Sequence, residues 1–240
     1  MSWHTRRLAA FDIETTGIDV EHDRVVTAAV SVVGAGVPTV SHSWLVDPGV
    51  EIPAEASAVH GISTEQARRD GRDPAEAIDE ITSALAAQQL AGVPIVAFNA
   101  RFDLTILDRE ARRHGVEPLV DRLGGIDRLL VVDPFVIDKA ADRYRRGRRT
   151  LTAVCEHHRV PLVDAHDANA DALAAARVAW RMATSLIAIG GADLPTLHRW
   201  QVTWAAQQAA SLEEYFAAQG RPERVEPAWP CVPVPALAFA

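Results

Sequence analysis

Two acidic residues, Asp12 and Glu14, lie two positions apart in a stretch whose apolar neighbours predict a β-strand. Side chains two positions apart on a strand point to the same face, so these carboxylates are presented together. Like charges held this close repel each other, which is costly unless a cation lies between them. The pair therefore indicates a metal site. The alternative is an exposed edge strand that carries two solvated acids.

Two further aspartates and a histidine lie where a strand or a loop gives way to a helix. Asp103 follows the apolar run 93–98, and Asp171 lies at the front of the last long helix. For each aspartate, the helix dipole alone would explain an acid in the first turn. His166 precedes Asp171 by five residues, a turn of about 140° on an ideal helix. The two share one site only if His166 lies in the loop before the helix.

The four acids and His166, taken together, resemble the motifs of the DEDD 3′–5′ exonucleases, in the DEDDh branch. The most similar members are the proofreading epsilon subunit of bacterial DNA polymerase III and its stand-alone relatives. The resemblance covers about residues 7–185 and implies a ribonuclease-H-like fold. Four segments carry it: Asp12 to Gly17 matches D-x-E-T-T-G, Asn99 to Asp103 matches N-A-x-F-D, His166 to Asp171 matches H-x-x-x-x-D, and Val59 to Ser63 matches V-H-G-I-[ST].

This resemblance also implies catalytic roles. Asp12 would bridge two metal ions, Glu14 and Asp171 would bind one of them, and Asp103 would hold the second through water. Ligand sets made only of oxygen favour Mg²⁺ or Mn²⁺ over zinc. Two ions about 4 Å apart can clamp the attacking and leaving oxygens of a phosphodiester. His166 would take a proton from the attacking water, a task that suits histidine near neutral pH.

The same motifs supply candidate contacts to the nucleic acid. The residues that follow the first acids would meet the terminal nucleotide, and two residues of the second motif would contact its sugar or base. His60 of the V-H-G-I segment belongs to the same set. Phe102, which is apolar, could equally belong to the hydrophobic core. These candidates are Thr15, Thr16, Gly17, Asn99, Phe102 and His60.

A strongly basic run at residues 143–149 is a candidate phosphate track. It holds five arginines around one aromatic ring, Tyr144, which could stack on a base. The alternative is a solvated loop. The arginines are Arg143, Arg145, Arg146, Arg148 and Arg149.

These side chains must be positioned by secondary structure, and the hydrophobic pattern predicts a mixed α/β sheet. Short links join the first three apolar runs, which favours antiparallel pairing because a parallel crossover needs a dozen residues or more. Later strands alternate with helices, so the predicted fold is a ribonuclease-H-like mixed sheet flanked by helices. The predicted strands are 7–14, 25–33, 39–46, 93–98 and 129–132, and the main helices are 74–91, 102–114, one from 151 and one ending near 189.

The sequence pattern changes after residue 190, which predicts an exonuclease domain at 1–190 and an appendage at 191–240. A helix starting near Asp193 would place Leu197, Trp200, Trp204 and Leu212 near one face. Five prolines in the last twenty residues predict an extended tail. The aromatic residues of this region either pack back on the domain or dock a partner protein.

Composition and charge exclude several functional classes. The 240 residues contain two cysteines, which excludes a disulfide scaffold and a cysteine-based zinc site. No apolar run reaches the roughly 18 residues of a membrane span, and the polar N-terminus predicts no secretory signal, so we expect a cytoplasmic protein with no membrane contact. The net charge of −8 disfavours broad coating of DNA but allows an enzyme that binds one chain end.

The sequence therefore predicts a metal-dependent 3′–5′ exonuclease that acts on single-stranded ends, with DNA favoured over RNA. The first alternative is the same chemistry on RNA or short oligoribonucleotides, because nothing in the motifs separates ribose from deoxyribose. The second is a non-catalytic accessory or scaffold that uses the fold only for binding. Clustered carboxylates argue against this second alternative, since a binding module gains nothing from them.

Overall fold

The computed structural model describes residues 2–163 and 165–234 and contains, within them, one five-stranded sheet. Its strands are β1 (Arg7–Thr15), β2 (Val25–Gly34), β3 (Val40–Leu45), β4 (Ile95–Val96) and β5 (Val131–Val132). They lie in the spatial order β3-β2-β1-β4-β5. The first three pair antiparallel, whereas β4 and β5 run parallel to β1. The predicted ribonuclease-H-like mixed sheet is thus confirmed.

Helices cover both faces of this sheet. Three of them begin in the same way, with an aspartate that caps a first turn containing a proline. These aspartates are Asp73, Asp133 and Asp193. The helices of the described residues are α1 (Ala54–His60), α2 (Thr64–Asp70), α3 (Pro74–Leu90), α4 (Ala100–Arg113), α5 (Leu119–Arg122), α6 (Pro134–Ala141), α7 (Leu151–His158), α8 (Ala168–Ser185), α9 (Ile187–Gly191) and α10 (Leu194–Ala218).

Strand β1 separates two layers of hydrophobic core because its side chains alternate between the two faces of the sheet. Phe11 and Ile13 lie in the cluster formed with α3 and α4. Leu8 lies in the cluster formed with α7 and α8, and Ala10 packs directly on α8. The even-numbered positions of β1 therefore face α8. This face carries the acidic pair further along the strand.

Helix α10 packs against α6 and β5. Its buried side follows Leu197 and Gln201, which are both fully buried, and Trp204, which contacts both core clusters. Trp200 and Leu212, which were predicted to lie near the same face as Leu197 and Trp204, are 36% and 38% exposed and so lie outside the buried side. Leu197, Gln201 and Trp204 are separated by four and three residues, which is the spacing of one helix face. Because Gln201 is polar, a search for apolar residues does not identify this face.

The tail after α10 packs back on the protein without forming helix or strand in its described part. Trp229 is buried in the core cluster of α3 and α4. The N–H of Val232 donates to Thr105 Oγ1 (3.0 Å), and Arg109 Nη2 donates to the carbonyl of Pro233 (3.0 Å). The domain boundary at residue 190 stays a prediction. Among the described residues, no helix has the length and hydropathy needed to cross a membrane.

Candidate active site

Asp12 and Glu14 lie near the end of β1, on the face that looks toward α8. Strand β4 pairs with β1 at Ala9 and Ala10, before the acidic pair is reached. The register between β1 and β2 then shifts after Glu14. The two carboxylates therefore lie at the edge where the carboxyl ends of the parallel strands meet, which is the usual place for a site in such sheets.

Asp171 reaches this edge because α8 approaches β1 closely. Near the site the contact between the two elements includes small residues, with Ala10 of β1 packed on Ala172 and Ala176 of α8. Asp171 lies in the first turn of α8 and is buried. Its Oδ2 accepts the backbone N–H of His166 (3.1 Å), whereas its Oδ1 is buried with no hydrogen-bond partner among the described residues. An unpaired buried carboxylate oxygen is expected at a site that binds a ligand.

His166 lies in the turn before α8, where it is exposed and has a positive φ of 72°. The next residue, Asp167, caps α8 by accepting the N–H of Ala170 (2.9 Å). This places the imidazole in the loop, as the five-residue spacing requires. Ligand atoms of Glu14, His166 and Asp171 all lie within 4.8 Å of one another, so the structure brings together three of the five predicted catalytic residues by direct distance.

Asp103 approaches from the other side of β1. It lies in the first turn of α4, is 3% exposed, and accepts the backbone N–H of Ile13 through Oδ1 (3.2 Å). Because Ile13 stands between the two acids of β1, this hydrogen bond fixes Asp103 beside them. The residue before α4, Asn99, has left-handed backbone (φ 63°), which turns the chain sharply from β4 into the helix.

The electrostatics of the site reflect acids that are crowded together and partly buried. Burial raises the pKa of Asp12 well above its usual value, and the charges of Asp103, Asp171 and Glu14 raise it further. Burial, then Asp171 and Asp167, raise the pKa of Glu14 to about 8. Burial also raises the pKa of Asp103 and of Asp171, although backbone N–H groups oppose it in both. These shifts link all four predicted acids into one electrostatic cluster.

These residues fit a divalent cation. Three carboxylates facing one another are destabilised unless a positive charge enters between them, and Asp171 Oδ1 is buried without a partner. The group formed by Glu14, His166 and Asp171 has ligand atoms close enough to meet on one ion. Asp12 and Asp103 belong to the same electrostatic cluster and could hold a further ion. The structure thus contains a possible metal site.

The three predicted substrate residues after Glu14 form a tight turn. Thr15 Oγ1 donates to the carbonyl of Gly17 (2.6 Å), and Thr16 Oγ1 donates to Asp23 Oδ1 (2.7 Å). A Cβ added at Gly17 would lie 2.5 Å from Asp23 Oδ2, so a larger residue there would displace the Asp23 side chain that bonds Thr16. The threonine hydroxyls therefore stabilise the turn, and their roles in substrate binding stay predictions.

His60 lies at the end of α1 and faces this turn. Its Nδ1 accepts the N–H of Ile62 (3.2 Å), and its Nε2 is buried without a partner among the described residues. Burial lowers the pKa of His60; the nearby backbone of Thr15 opposes this shift, and the nearby His166 adds to it. His60 is thus near the cluster, whereas Phe102 is half-buried against the core of α3 and α4.

The predicted phosphate track divides into two groups. Arg145 and Arg149 make ion pairs with Asp138 Oδ2 (2.6 and 2.5 Å), a carboxylate that is 3% exposed. Burial raises the pKa of Asp138, but hydrogen bonds from His158, Arg149 and Arg145 outweigh it and lower the pKa. Two of the five arginines are therefore committed to the fold. The exposed members are Arg143, Arg146 and Arg148.

The sequence analysis missed Asp133, which follows β5 at the same edge of the sheet. It is fully buried and accepts the N–H groups of Asn99 (2.9 Å) and Ala100 (3.0 Å) and the indole N–H of Trp229 (3.2 Å). Burial raises the pKa of Asp133 to about 6, although these donors oppose the rise. Its signal was the Asp-Pro pair that also begins α3, placed directly after a buried strand.

Comparison with solved structures finds the fold of exonuclease I. The complex of the Escherichia coli enzyme with a dA16 oligonucleotide is 19% identical, with a TM-score of 0.65, and the alignment covers 77% of this chain and 42% of that one. Exonuclease I from Methylocaldum szegediense is 20% identical over the same shares, with a TM-score of 0.64. A zinc-bound form of the E. coli enzyme with single-stranded DNA is also similar, at 19% identity and a TM-score of 0.65. The chain spans less than half the length of these proteins.

Comparison at the level of sequence identifies the family. No curated protein sequence gives a significant match. Residues 9–179, however, match the model of the RNase T family, whose description is exonuclease. This segment contains all four acids and His166, and it confirms the resemblance to the DEDDh exonucleases. Since the match covers most of the chain, the protein belongs to the RNase T exonuclease family.

Proposed function

We propose that this protein is a metal-dependent 3′–5′ exonuclease that shortens single-stranded DNA from its 3′ end and releases nucleoside 5′-monophosphates. The observation that carries the proposal is the convergence of Asp12, Glu14, Asp103 and Asp171 at one edge of the sheet, beside His166. DNA is favoured over RNA because the similar exonuclease I structures include complexes with dT13 and dA16 oligonucleotides.

The four acids would hold two divalent ions, Mg²⁺ or Mn²⁺. Asp12 would be shared between them, Glu14 and Asp171 would complete one site, and Asp103 would hold the other. When bound, the ions would neutralise the carboxylates and stabilise the negative charge that develops on the phosphate. Oxygen donors support the choice of hard cations. The unpartnered Oδ1 of Asp171 supports its role as a ligand.

His166 is suited to act as the general base. Its side chain is exposed, so water and substrate can reach it, and its backbone N–H is held by Asp171. An imidazole nitrogen would accept a proton from water while the water oxygen attacks the phosphorus of the terminal nucleotide. The bond from phosphorus to the 3′ oxygen of the preceding nucleotide then breaks, and this oxygen takes up a proton from solvent water, while the imidazolium returns its proton to solvent. The products are a nucleoside 5′-monophosphate and a strand with a new 3′ hydroxyl.

The residues around the cluster would bind the terminal nucleotide. The turn formed by Thr15, Thr16 and Gly17 follows the acidic pair directly in the chain. His60 and Asn99 border the cluster from α1 and from the start of α4. Phe102, in the first turn of α4, offers a partly exposed ring edge for a sugar or base.

The proposal is tested with end-labelled DNA and RNA oligonucleotides in Mg²⁺, Mn²⁺, Zn²⁺ or chelator. We expect stepwise shortening from the 3′ end that needs Mg²⁺ or Mn²⁺, is faster on DNA, and is lost in Asp12→Ala. His166→Ala should lower the rate by about 10²- to 10⁴-fold. The exposed residues Asp127 and His42 provide matched controls, because replacing either with alanine should leave the rate unchanged.

Two outcomes would contradict the proposal. A near-normal rate in a folded His166→Ala protein would exclude His166 as the base. No cleavage of either strand with any metal would favour a non-catalytic role, and a faster rate on RNA would move the proposed substrate to RNA ends.

A further inference from the structure

A groove between α6 and α10 leads away from the candidate active site. Two cavities, of about 60 Å³ and about 570 Å³, adjoin because Lys139, Gln208 and Leu212 line both. The smaller cavity is also lined by Asn99 and Arg101 of the second motif. We name these two adjoining cavities the α6–α10 groove. It begins beside Asn99 and Arg101, at the start of the helix that contains Asp103.

The groove contains more positive than negative charge, because four of its described lining residues are basic and one, Asp133, is acidic. Lys139 is half-buried, and none of the ion pairs between described residues includes it. Burial, together with the charges of Arg101 and Arg149, lowers the pKa of Lys139, and Asp133 opposes this only in part. Arg143 is exposed and contacts the hydroxyl of Ser211 at 3.4 Å. Cations crowded together in a protein of net charge −8 indicate a local site for an anion.

Aromatic rings accompany these cations along the groove. Lys139 Nζ lies 4.7 Å from the ring centre of Phe135, and the guanidinium of Arg143 lies 5.8 Å from that of Tyr144. Tyr144 is 86% exposed and Tyr215, on α10, is 57% exposed. Large exposed rings are unusual without a partner, and rings interleaved with cations suit a strand that has both bases and phosphates.

We propose that the α6–α10 groove binds the single-stranded part of the substrate that lies on the 5′ side of the nucleotide being removed. Phosphates would lie near Lys139 and Arg143, and unpaired bases would stack on Tyr144 and Tyr215. An acidic peptide would match the cations but would leave the rings without planar partners. Nucleic acid is therefore the occupant that the groove fits.

One wall of this groove is built from residues that lie outside the segment matching the family. The family match ends at residue 179, and α10 supplies one wall of the groove from beyond that point. The inference rests on the proposed function, because it takes the strand in the groove to be the exonuclease substrate. It also gives the C-terminal region a role that does not need a protein partner.

Binding is measured by fluorescence anisotropy with 5′-labelled DNA of about 12 nucleotides, a length within the range that single-strand grooves cover. Every protein carries Asp12→Ala so that the strands are not shortened. We expect Lys139→Gln with Arg143→Gln to weaken binding about tenfold or more. The slope of log affinity against log salt should fall by about 1.4, because each lost phosphate contact on a single strand contributes about 0.7. Tyr144→Ala should weaken binding with little change in the slope.

The matched control is Arg128→Gln with Arg177→Gln, which removes the same charge from two exposed arginines outside the groove. This control should bind like the parent protein. Unchanged binding in the groove variant, or equal weakening in the control, would overturn the proposal. So would equally tight binding of an acidic peptide such as poly-glutamate that depends on the same two residues.

Kinetics separate the groove from the proposed function. With Asp12 intact, the groove variant should raise KM for the strand of about 12 nucleotides by about tenfold and leave hydrolysis of a dinucleotide unchanged, because a dinucleotide is too short to reach the groove. Equal loss on both substrates would overturn the groove as a separate subsite. If the unmodified protein hydrolyses neither, the proposed function fails, while the anisotropy experiment still tests the groove.

Discussion

Single side chains in the candidate site are arranged at a cost to the stability of the protein. Asp12 lies among three other acids, and no basic side chain of the described residues pairs with it. Burial and like charges both raise its pKa, so its ionised form is disfavoured in the folded protein. Functional sites commonly retain such unfavourable groups because the ligand supplies the missing interaction.

The first prediction concerns the removal of one of these charges. In chelator at pH 7, Asp12→Asn should raise the free energy of unfolding by about 1 kcal/mol or more, because a shift of one pKa unit corresponds to 1.36 kcal/mol. The same variant should be inactive. Chemical denaturation with and without Mg²⁺ measures the effect, and Mg²⁺ should stabilise the unmodified protein more. A variant that is less stable than the parent in chelator would contradict this account.

The second prediction concerns pH. The pKa of Glu14 is raised from its ordinary 4.5 to about 8, so between these values the folded state binds a proton that the unfolded state has lost. Stability that is present below pH 4.5 should therefore fall as the pH rises toward 8. Denaturation in chelator across this window should show a smaller fall for Glu14→Gln. If both proteins have the same slope, the carboxyl group does not titrate as described.

At this scale the sequence predicts residue types better than their contacts. Strand periodicity indicates Asp12 and Glu14, because side chains two positions apart on a strand share a face, whereas Asp171 is indicated by the resemblance to the family motif. The sequence does not show that Arg145 and Arg149 pair with Asp138, which lies 7 and 11 residues before them. These spacings match no regular helix or strand pairing, because the chain between α6 and these arginines is irregular.

Among the elements, the junction between β4 and α4 depends on β5 and on the tail. Asn99 has a left-handed backbone, a conformation that asparagine adopts more readily than most residues other than glycine. Asp133, at the end of β5, accepts the N–H groups of Asn99 and Ala100, and Trp229 of the tail donates to the same carboxylate. The three elements together therefore hold the helix start that carries Asp103.

The third prediction tests this junction. Trp229→Phe keeps an aromatic ring in the core but removes the indole N–H that binds Asp133. We expect it to lower the free energy of unfolding by about 1–3 kcal/mol, the usual range for a hydrogen bond to a buried charged group. It should also lower kcat more than it raises KM, because Asp103 loses part of its support. Trp200→Phe is the matched control, since Trp200 lies on the exposed side of α10. Equal effects of the two changes would contradict the role of Trp229.

The elements themselves are largely predictable from the sequence. Alternating and continuous apolar runs locate all five strands, and the Asp-Pro pair before Ala77 locates α3, because period and capping are local signals. The same Asp-Pro signal at Asp133 begins α6, which the sequence analysis did not predict. The side of α10 that is buried could not be read from apolar residues, since Gln201 occupies its centre.

In the whole molecule, the region after residue 190 covers an edge that would otherwise be open. Strand β5 ends the sheet, and α10 lies against it. Gln201 is fully buried and bonds the strand through its side chain: Oε1 accepts the N–H of Asp133 (2.6 Å), and Nε2 donates to the carbonyl of Val131 (2.9 Å). Covering an edge strand satisfies its backbone groups and blocks association with another chain. The helix thereby performs a structural task for residues 1–190.

The last prediction tests the boundary at residue 190. An appendage that packs loosely would be dispensable, but the contacts of α10 predict the opposite. Removing residues 191–240 would expose the site of Leu197 and leave buried backbone groups of β5 without partners. We expect a protein of residues 1–190 to be less stable than the full chain by more than about 3 kcal/mol. Leu197→Ala in the full chain should cost about 2–5 kcal/mol, whereas Leu212→Ala, at an exposed position of the same helix, should cost less than about 1 kcal/mol. Thermal denaturation of the three proteins would decide, because a shortened chain as stable as the full one would make 191–240 an independent appendage.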